Sequence, residues 1–398
     1  MLYRFGDYAL DLQTYTLRRG RDEIAVEPQV FGILACLIAN RDRVVTKDEL
    51  IDAVWDGRIV SDATLSSRIS LARQAVGDSG ESQTVIRTVP RRGFRFVAEV
   101  AADSAPAVAA PPAEAAAPPL RYCMSADGVQ LGYALGGNGP PLVKVANWIN
   151  HLEYDWQSPI WRPVFRTLSA YRQLMRYDSR GVGLSDWNVS DFAFPHLVAD
   201  LETVVGAAKL ERFALLGISQ GAAIAIDYAA RHPERVSHLI LWGGFARGRM
   251  RRGNADDAAQ SEAFRTIMRQ GWGKEESAFR KMFAALYLPE ASDEHVRWWT
   301  ELQRIATSAE NAVRLRESID GIDVSDRLAQ LRTPTLILHS AREAVAPLAE
   351  ARFMAARIPN ARFVLLDSAN HLVMDYEPAW TRALDAIRDF LQDETGSA

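Results

Sequence analysis

Apolar and polar residues alternate in four short runs at the start of the chain, Leu2–Phe5, Tyr8–Leu12, Tyr15–Arg18 and Glu23–Val26, and a period of two predicts a small antiparallel sheet. The spacing then becomes helical. Pro28–Asn40 predicts a buried helix that carries Cys36 as a small core residue. Thr46 with Glu49 three residues later forms a capping box that opens a helix through Val54 and Trp55. Ser61 or Asp62 caps a third helix, which Gly77 ends. The run T-V-I-R-T-V-P-R-R-G-F-R-F-V predicts two strands around the turn Pro90-Arg91-Arg92-Gly93.

From Ala101 to Leu120, ten Ala and five Pro occupy fifteen of twenty positions. Such a run offers little to bury and opposes both helix and sheet, so it predicts an extended, semi-rigid tether between two domains, 1–100 and 121–398. Beyond it strands alternate with helices: R-Y-C-M-S, V-Q-L-G-Y-A-L, P-L-V-K-V-A and R-Q-L-M-R-Y-D precede a helix from Pro195 to Lys209. That order predicts a mostly parallel sheet covered by helices on both faces.

The 398 residues carry 24% charged and 48% apolar side chains, which excludes a disulfide miniprotein and a wholly disordered chain. A net charge of −4 excludes a polycation that coats nucleic acid or an anionic membrane, so any basic surface is local. The two cysteines, Cys36 and Cys123, fall in different domains and fit a reducing compartment. The opening M-L-Y-R-F-G-D-Y-A-L-D-L is unlike a secretory signal, and no uncharged apolar stretch is long enough to span a bilayer. The expected location is cytoplasmic, with no membrane contact.

Sheet, three helices and a terminal basic hairpin, with I-S-L-A-R-Q-A-V-G-D on the third helix and I-R-T-V-P-R-R-G-F-R-F-V in the hairpin, resemble the α+β winged helix-turn-helix of OmpR/PhoB-type regulators. The resemblance implies a double-stranded DNA partner, with the third helix in the major groove and the hairpin, the wing, on the adjacent minor groove or backbone. Placed at the head of the chain with no receiver before it, the domain is similar in order to CadC/ToxR-type one-component regulators, without their membrane helix. Charge agrees: residues 58–95 hold seven basic side chains against three acidic ones. On the third helix Leu65, Ile69, Ala72 and Val76 have the spacing of a buried stripe, leaving Thr64, Ser67, Arg68 and Leu71 outward. Arg68 and Ser67 are candidates for base edges, and Arg73, Arg91 and Arg92 for phosphates.

In the second domain an apolar strand runs into Gly217-Ile218-Ser219-Gln220-Gly221 and out into an Ala-rich helix. This is the context of a nucleophile elbow, with Ser219 exposed at a helix N-terminus where a developing anion is favoured. Residues 121 to about 393 resemble the α/β-hydrolase superfamily, including Y-D-S-R-G-V-G-L-S-D at Tyr177–Asp186 and the late strands P-T-L-I-L-H-S-A-R-E and A-R-F-V-L-L-D. The resemblance implies a Ser-acid-His triad in which His371 is the base for Ser219 and Glu343 stands where aspartate is usual; Asp367 is the alternative acid. It also implies an oxyanion hole from the amides of Gln220 and Trp148. Besides Glu343, the chain departs from the usual pattern in two further places, reading Ala146-Asn147-Trp148 and His339-Ser340 where His-Gly is usual.

A helical insertion from Phe245 to about Asp326 stands where such proteins carry a cap, and it is rich in aromatics: Phe264, Trp272, Phe279, Phe283, Tyr287, Trp298 and Trp299. Most are expected to be cap core. With Asn147, Trp148 and His151, the remainder, Trp298 and Trp299 among them, are expected to enclose a mostly apolar pocket for a small ester, lactone, amide or ketone. Gly136-Gly137-Asn138-Gly139-Pro140 is too short for a dinucleotide fingerprint and no His/Cys cluster offers a metal site, so neither cofactor nor metal is expected. A DNA reader joined to such a pocket predicts a one-component, homodimeric transcription regulator; the alternative is an active serine esterase or lactonase that its winged helix localises or autoregulates.

Overall fold

A computed structural model describes residues 2–11, 15–20, 22–55, 60–90, 92–103, 117–274 and 278–392. It divides into two compact units, residues 1–115 and 116–398, each with its own apolar core.

In the first unit, β1 (Leu2–Phe5), β2 (Tyr8–Asp11), β3 (Thr16–Arg19) and β4 (Asp22–Ile24) form an antiparallel meander. Three helices follow, α1 (Pro28–Ala39), α2 (Lys47–Trp55) and α3 (Asp62–Ala75), and then the hairpin β5 (Ile86–Val89) with β6 (Gly93–Phe96). The capping box at α2 is formed: Glu49 N donates to Thr46 Oγ1 at 3.2 Å, and Thr46 N donates to Glu49 Oε2 at 2.7 Å. At α3, Ser61 Oγ accepts from Thr64 N at 3.2 Å. Leu65, Ile69, Ala72 and Val76 are all buried, as their spacing predicts, and they seat α3 on Ile33, Leu34, Leu37 and Phe96 within one core. Leu71 also packs against that core instead of facing out. The hairpin is anchored near its turn, where Val45 and Phe94 exchange backbone hydrogen bonds of 2.8 and 2.9 Å. The expected tether begins later than its composition implies: β7 (Ala101–Asp103) pairs with β1 and completes a five-stranded sheet in the order β4-β3-β2-β1-β7. Three small residues at the head of the Ala/Pro run satisfy their backbone bonds on an otherwise open sheet edge. Residues 104–116 of that run lie outside the described residues.

The second unit opens with β8 (Leu120–Met124), which takes the last residue of the run, and β9 (Gln130–Gly136), antiparallel to it. Then follow β10 (Pro141–Lys144), α4 (Leu152–Gln157), α5 (Trp161–Ser169), β11 (Gln173–Tyr177), α6 (Phe194–Ala207), β12 (Phe213–Ile218), α7 (Gly221–Arg231) and β13 (Val236–Trp242). The cap comprises α8 (Ala255–Gly271), α9 (Ala278–Tyr287), α10 (Asp293–Ala306) and α11 (Ala309–Asp320). After α12 (Ser325–Leu328) the chain returns to the sheet through β14 (Thr335–Ser340), α13 (Leu348–Ala355), β15 (Arg362–Leu366) and α14 (Pro378–Gln392). The described strands make an eight-stranded sheet ordered β15-β14-β13-β12-β10-β11-β9-β8, parallel from β15 through β11. All residues of β12 and β14 are buried, as central parallel strands covered on both faces require. The carboxyl ends of β12, β13 and β14 therefore point to one rim of the sheet, and the site is built there. Among the described residues no helix is long and apolar enough to cross a membrane.

Candidate active site and DNA interface

At the end of β12 the chain reverses into α7 within the five residues Gly217–Gly221. Ser219 takes the reversal with φ +55°, a strained conformation for a residue with a Cβ. The turn is close enough that a Cβ on Gly217 would lie 2.6 Å from Ala222 Cα, and one on Gly221 3.0 Å from the Ala146 carbonyl oxygen. Ser219 N donates to the Trp242 carbonyl at 3.1 Å, fixing the elbow to the neighbouring strand, and Gln220 stands at the N-terminus of α7.

His371 lies on the loop after β15, and Glu343 on the loop after β14. His371 Nδ1 is hydrogen-bonded to Glu343 Oε2, and both side chains are buried. A carboxylate can only accept here, so Nδ1 carries a proton, and in the neutral imidazole Nε2 is then the acceptor. That Nε2 has no hydrogen-bond partner among the described residues, and His371 and Ser219 line the same cleft. The imidazole is held by its own backbone, since His371 N donates to the Tyr287 carbonyl at 2.8 Å, and by the edge of the Tyr287 ring at 5.4 Å. Burial opposes ionisation of Glu343, yet His371 and His339 beside it outweigh burial and hold its carboxyl below the usual range. Asp367 is exposed and paired with Arg342, which leaves Glu343 as the acid at His371.

His339 was missed as a member of this cluster. It is the penultimate residue of β14 and fully buried, with Nε2 3.0 Å from the Ala346 carbonyl oxygen and 3.0 Å from Glu343 Oε1. Its four-residue spacing from Glu343 is a signal in the sequence, but it places the two side chains together only when the intervening loop folds back on itself.

Where His-Gly is usual before the oxyanion loop, this chain substitutes a buried polar network. Lys144 Nζ donates to Asn147 Oδ1 at 2.5 Å, and Asn147 Nδ2 donates to the Ile149 carbonyl at 3.2 Å. Burial pushes the Lys144 ammonium down and the Asp155 carboxyl up, and each partly offsets the other.

Two narrow clefts meet Ser219. One is lined by Asn147, Trp148, Tyr287, Trp299 and His371, the other by Trp148, Gln220, Arg249, Arg252, Arg316 and Asp320. Each has a cavity volume of only about 10 Å³, room for about one water. Of the expected pocket residues, Asn147 and Trp299 are in place. His151 instead caps α4, its Nδ1 accepting from Tyr154 N at 3.3 Å, and Trp298 stacks on Tyr154 at 4.9 Å. Trp272 and Phe283 pack on Trp148 at 5.6 and 5.0 Å as cap core, and Tyr287, 5.9 Å from Trp148, lines both clefts; the side chain of Phe279 lies outside the described residues. The expected apolar lining is corrected on one side, where three arginines replace it.

In the first unit, Thr64 and Ser67 are exposed on α3 and Arg92 is exposed on the turn between β5 and β6; Arg91 lies outside the described residues. Arg68 is half-buried and pairs with Glu27 Oε2 at 2.5 Å. Arg73 is not a phosphate contact. It is buried, donating from Nε and Nη2 to the Ile86 carbonyl at 3.0 and 2.9 Å and to Thr88 Oγ1 at 2.8 Å, so it fastens the end of α3 to the wing. Arg73 stands in the last turn of α3, and its guanidinium is spent on β5. Asp78 completes the clamp by accepting from the backbone N–H of Ser79, Thr84 and Ile86 at 2.8, 2.9 and 2.8 Å. Burial alone would raise that carboxyl, but these donors hold it well below the usual carboxylate range.

Residues 155–378 match the family described as alpha/beta hydrolase fold. The chain belongs to the α/β-hydrolase fold family. Ahead of that domain, residues 21–96 match the C-terminal domain of transcriptional regulatory proteins, so this α/β-hydrolase chain carries a DNA-binding regulator domain of the OmpR/PhoB type. Pimeloyl-(acyl-carrier protein) methyl ester esterase of Nitrosomonas europaea is 27% identical over 261 residues, 63% of this chain and 96% of that protein. Transcriptional activator CadC of Escherichia coli is 30% identical over 98 residues, 24% of this chain and 19% of CadC. In fold, a hydrolase from Pseudomonas aeruginosa superposes with a TM-score of 0.59 at 22% identity, over 69% of this chain and 98% of its own.

Proposed function

We propose that this protein is a one-component transcription regulator that binds double-stranded DNA through its winged helix and captures a small carbonyl compound, an ester, lactone, amide or ketone, beside Ser219. The observation that carries the reading is the juncture on one chain of a regulator domain with an elbow serine whose cleft it shares with the unpartnered Nε2 of a Glu343-held histidine. In this reading Ser219 Oγ adds to the carbonyl carbon, its proton passes to His371 Nε2, and the amides of Gln220 and Trp148 receive the oxyanion. Thr64, Ser67 and Arg68 face the bases while Arg91 and Arg92 meet phosphates. The protein acts in the cytoplasm as a homodimer, because a winged helix reads paired half-sites and a tether rich in Ala and Pro transmits little torque on its own. Ligand shifts DNA occupancy only through a difference in affinity between two arrangements, and clefts with room for about one water require the cap to move when ligand enters.

A second reading, an esterase or lactonase that its DNA-binding domain localises or autoregulates, is favoured by the ordered His371–Glu343 pair and by the similarity to an ester hydrolase. One experiment separates them. The protein is exposed to a small fluorophosphonate and weighed by mass spectrometry, with Ser219→Ala as control, while p-nitrophenyl butyrate hydrolysis is followed. A stoichiometric adduct with slow or absent turnover supports the sensor, multiple turnovers per second support the enzyme, and no adduct in a folded protein removes Ser219 chemistry from both.

A further inference from the structure

The cleft between Ser219 and the cap is charged on one wall. Arg249, Arg252 and Arg316 line it against a single carboxylate, Asp320. Asp320 is already engaged: Arg316 Nη2 pairs with its Oδ1 at 3.0 Å and Ser261 Oγ donates to its Oδ2. Arg249 and Arg316 are each only 6% exposed and are packed among rings, with Arg249 5.0 Å from the Phe264 centroid and Arg316 5.7 Å from that of Trp148. Arg249 Nη1 and Arg316 Nε have no hydrogen-bond partner among the described residues.

Buried guanidinium N–H groups without acceptors are costly, and a buried cation without a counter-charge more so. Burial, with Arg316 nearby, pushes Arg249 down to about 10, which still leaves it cationic at neutral pH. An unpaired donor on each of two buried cations, only one of which has a carboxylate beside it among the described residues, in a cleft that also holds the elbow serine, describes a receptor for an anion that presents one oxygen to each arginine.

We infer that the ligand captured beside Ser219 carries a carboxylate, held by Arg249 and Arg316 while its ester, lactone or amide carbonyl lies at Ser219. This rests on the reading that ligand enters at Ser219 and narrows its class from apolar carbonyl compounds to acids bearing a second carbonyl group. Arg316 stands on the cap helix α11 and Arg249 on the segment leading into the cap, whereas Ser219 belongs to the sheet, so one such ligand ties cap to sheet. A neutral ester lacks the cap-side contact and holds the two together less well.

The test uses the full chain with Ser219→Ala, so that nothing is consumed, and isothermal titration with the monomethyl esters of succinate, glutarate and adipate against the corresponding dimethyl esters. At least one half ester is expected to bind about tenfold or more tightly than its diester, and Arg249→Met and Arg316→Met to abolish that preference. The inference is overturned by diesters binding as tightly as half esters at all three lengths, by no half ester binding, by Arg249→Met retaining the preference, or by inorganic phosphate displacing the half esters at equal concentration. If an arginine variant does not fold by circular dichroism, the half-ester and diester comparison decides by itself. Labelling of the unsubstituted protein by a neutral fluorophosphonate needs no anion site, so it reports on Ser219 separately.

Discussion

Glu343 accepts a hydrogen bond from His371 Nδ1 with both side chains buried, and its other carboxylate oxygen lies 3.0 Å from a second buried histidine, His339. A glutamate reaches one methylene further than the usual aspartate. One oxygen, Oε2, is held by His371, and the other lies beside the His339 imidazole, whose Nε2 also faces the Ala346 carbonyl. The orientation of His371 thus depends on a carboxylate that is itself positioned by the end of β14.

Removing the members of this cluster should separate roles. Ser219→Ala is expected to abolish fluorophosphonate labelling. His371→Ala and Glu343→Gln are each expected to slow it by roughly 10³- to 10⁴-fold, because without the carboxylate the imidazole loses the tautomer that leaves Nε2 free. Labelling rates measured by intact mass check this, and a Glu343→Gln protein that labels at the original rate rejects the assignment.

Arg73 and Arg92 should behave oppositely. Arg73→Met is expected to lower stability by about 1–3 kcal/mol, since it strands the Ile86 carbonyl, while leaving the salt dependence of DNA binding unchanged. Arg92→Ala is expected to leave stability alone and to reduce the slope of log K against log salt by about 1. Thermal unfolding and binding titrations at several salt concentrations give both readouts.

Arg68 must release Glu27 before it can reach a base. A partly exposed pair of this kind is worth about 0–1 kcal/mol, so Glu27→Gln is expected to strengthen DNA binding by up to about fivefold. Arg68→Ala is expected to weaken binding to a duplex selected by the unsubstituted protein by about 1–3 kcal/mol and to relax one base position. Unchanged affinity and selectivity in Arg68→Ala would falsify the recognition assignment.

The first unit should lose stability in acid. The backbone N–H of Thr46 and then the Arg43 guanidinium hold Glu49 at about 2, against 4.5 for a free glutamate, and Asp78 is held low as well. A carboxyl that ionises more readily in the folded chain contributes stability above its unfolded pKa and loses it as pH falls toward the folded one. Stability is therefore expected to be flat above about pH 5 and to decline between 4.5 and about 2. Asp78→Asn, which also loses accepted hydrogen bonds, is expected to lower the opening free energy of residues 78–89 at pH 7 by about 1–3 kcal/mol, measured by hydrogen exchange. Unaltered protection in that segment would refute the clamp.

The alternation of Leu2–Phe5 and its neighbours, the capping box of Thr46 and Glu49, the buried stripe of α3 and the Gly217–Gly221 elbow were all legible along the chain. Each is a local property: periodicity and turn chemistry act over a few residues, and the positions they require are adjacent in sequence. The partners of side chains were decided by tertiary structure. Arg73 and Arg92 are alike in sequence, but only folding sets one against the carbonyl of Ile86 and leaves the other in solvent. His339 reaches Glu343 because β14 ends beside the loop that carries the carboxylate. The three arginines turned toward Ser219 come from segments up to 67 positions apart, Arg249 to Arg316, and the aromatic-rich cap around them concealed their direction. Where a long charged side chain ends up is settled by which backbone and which carboxylates the fold brings within reach, and that information lies in the packing of distant elements.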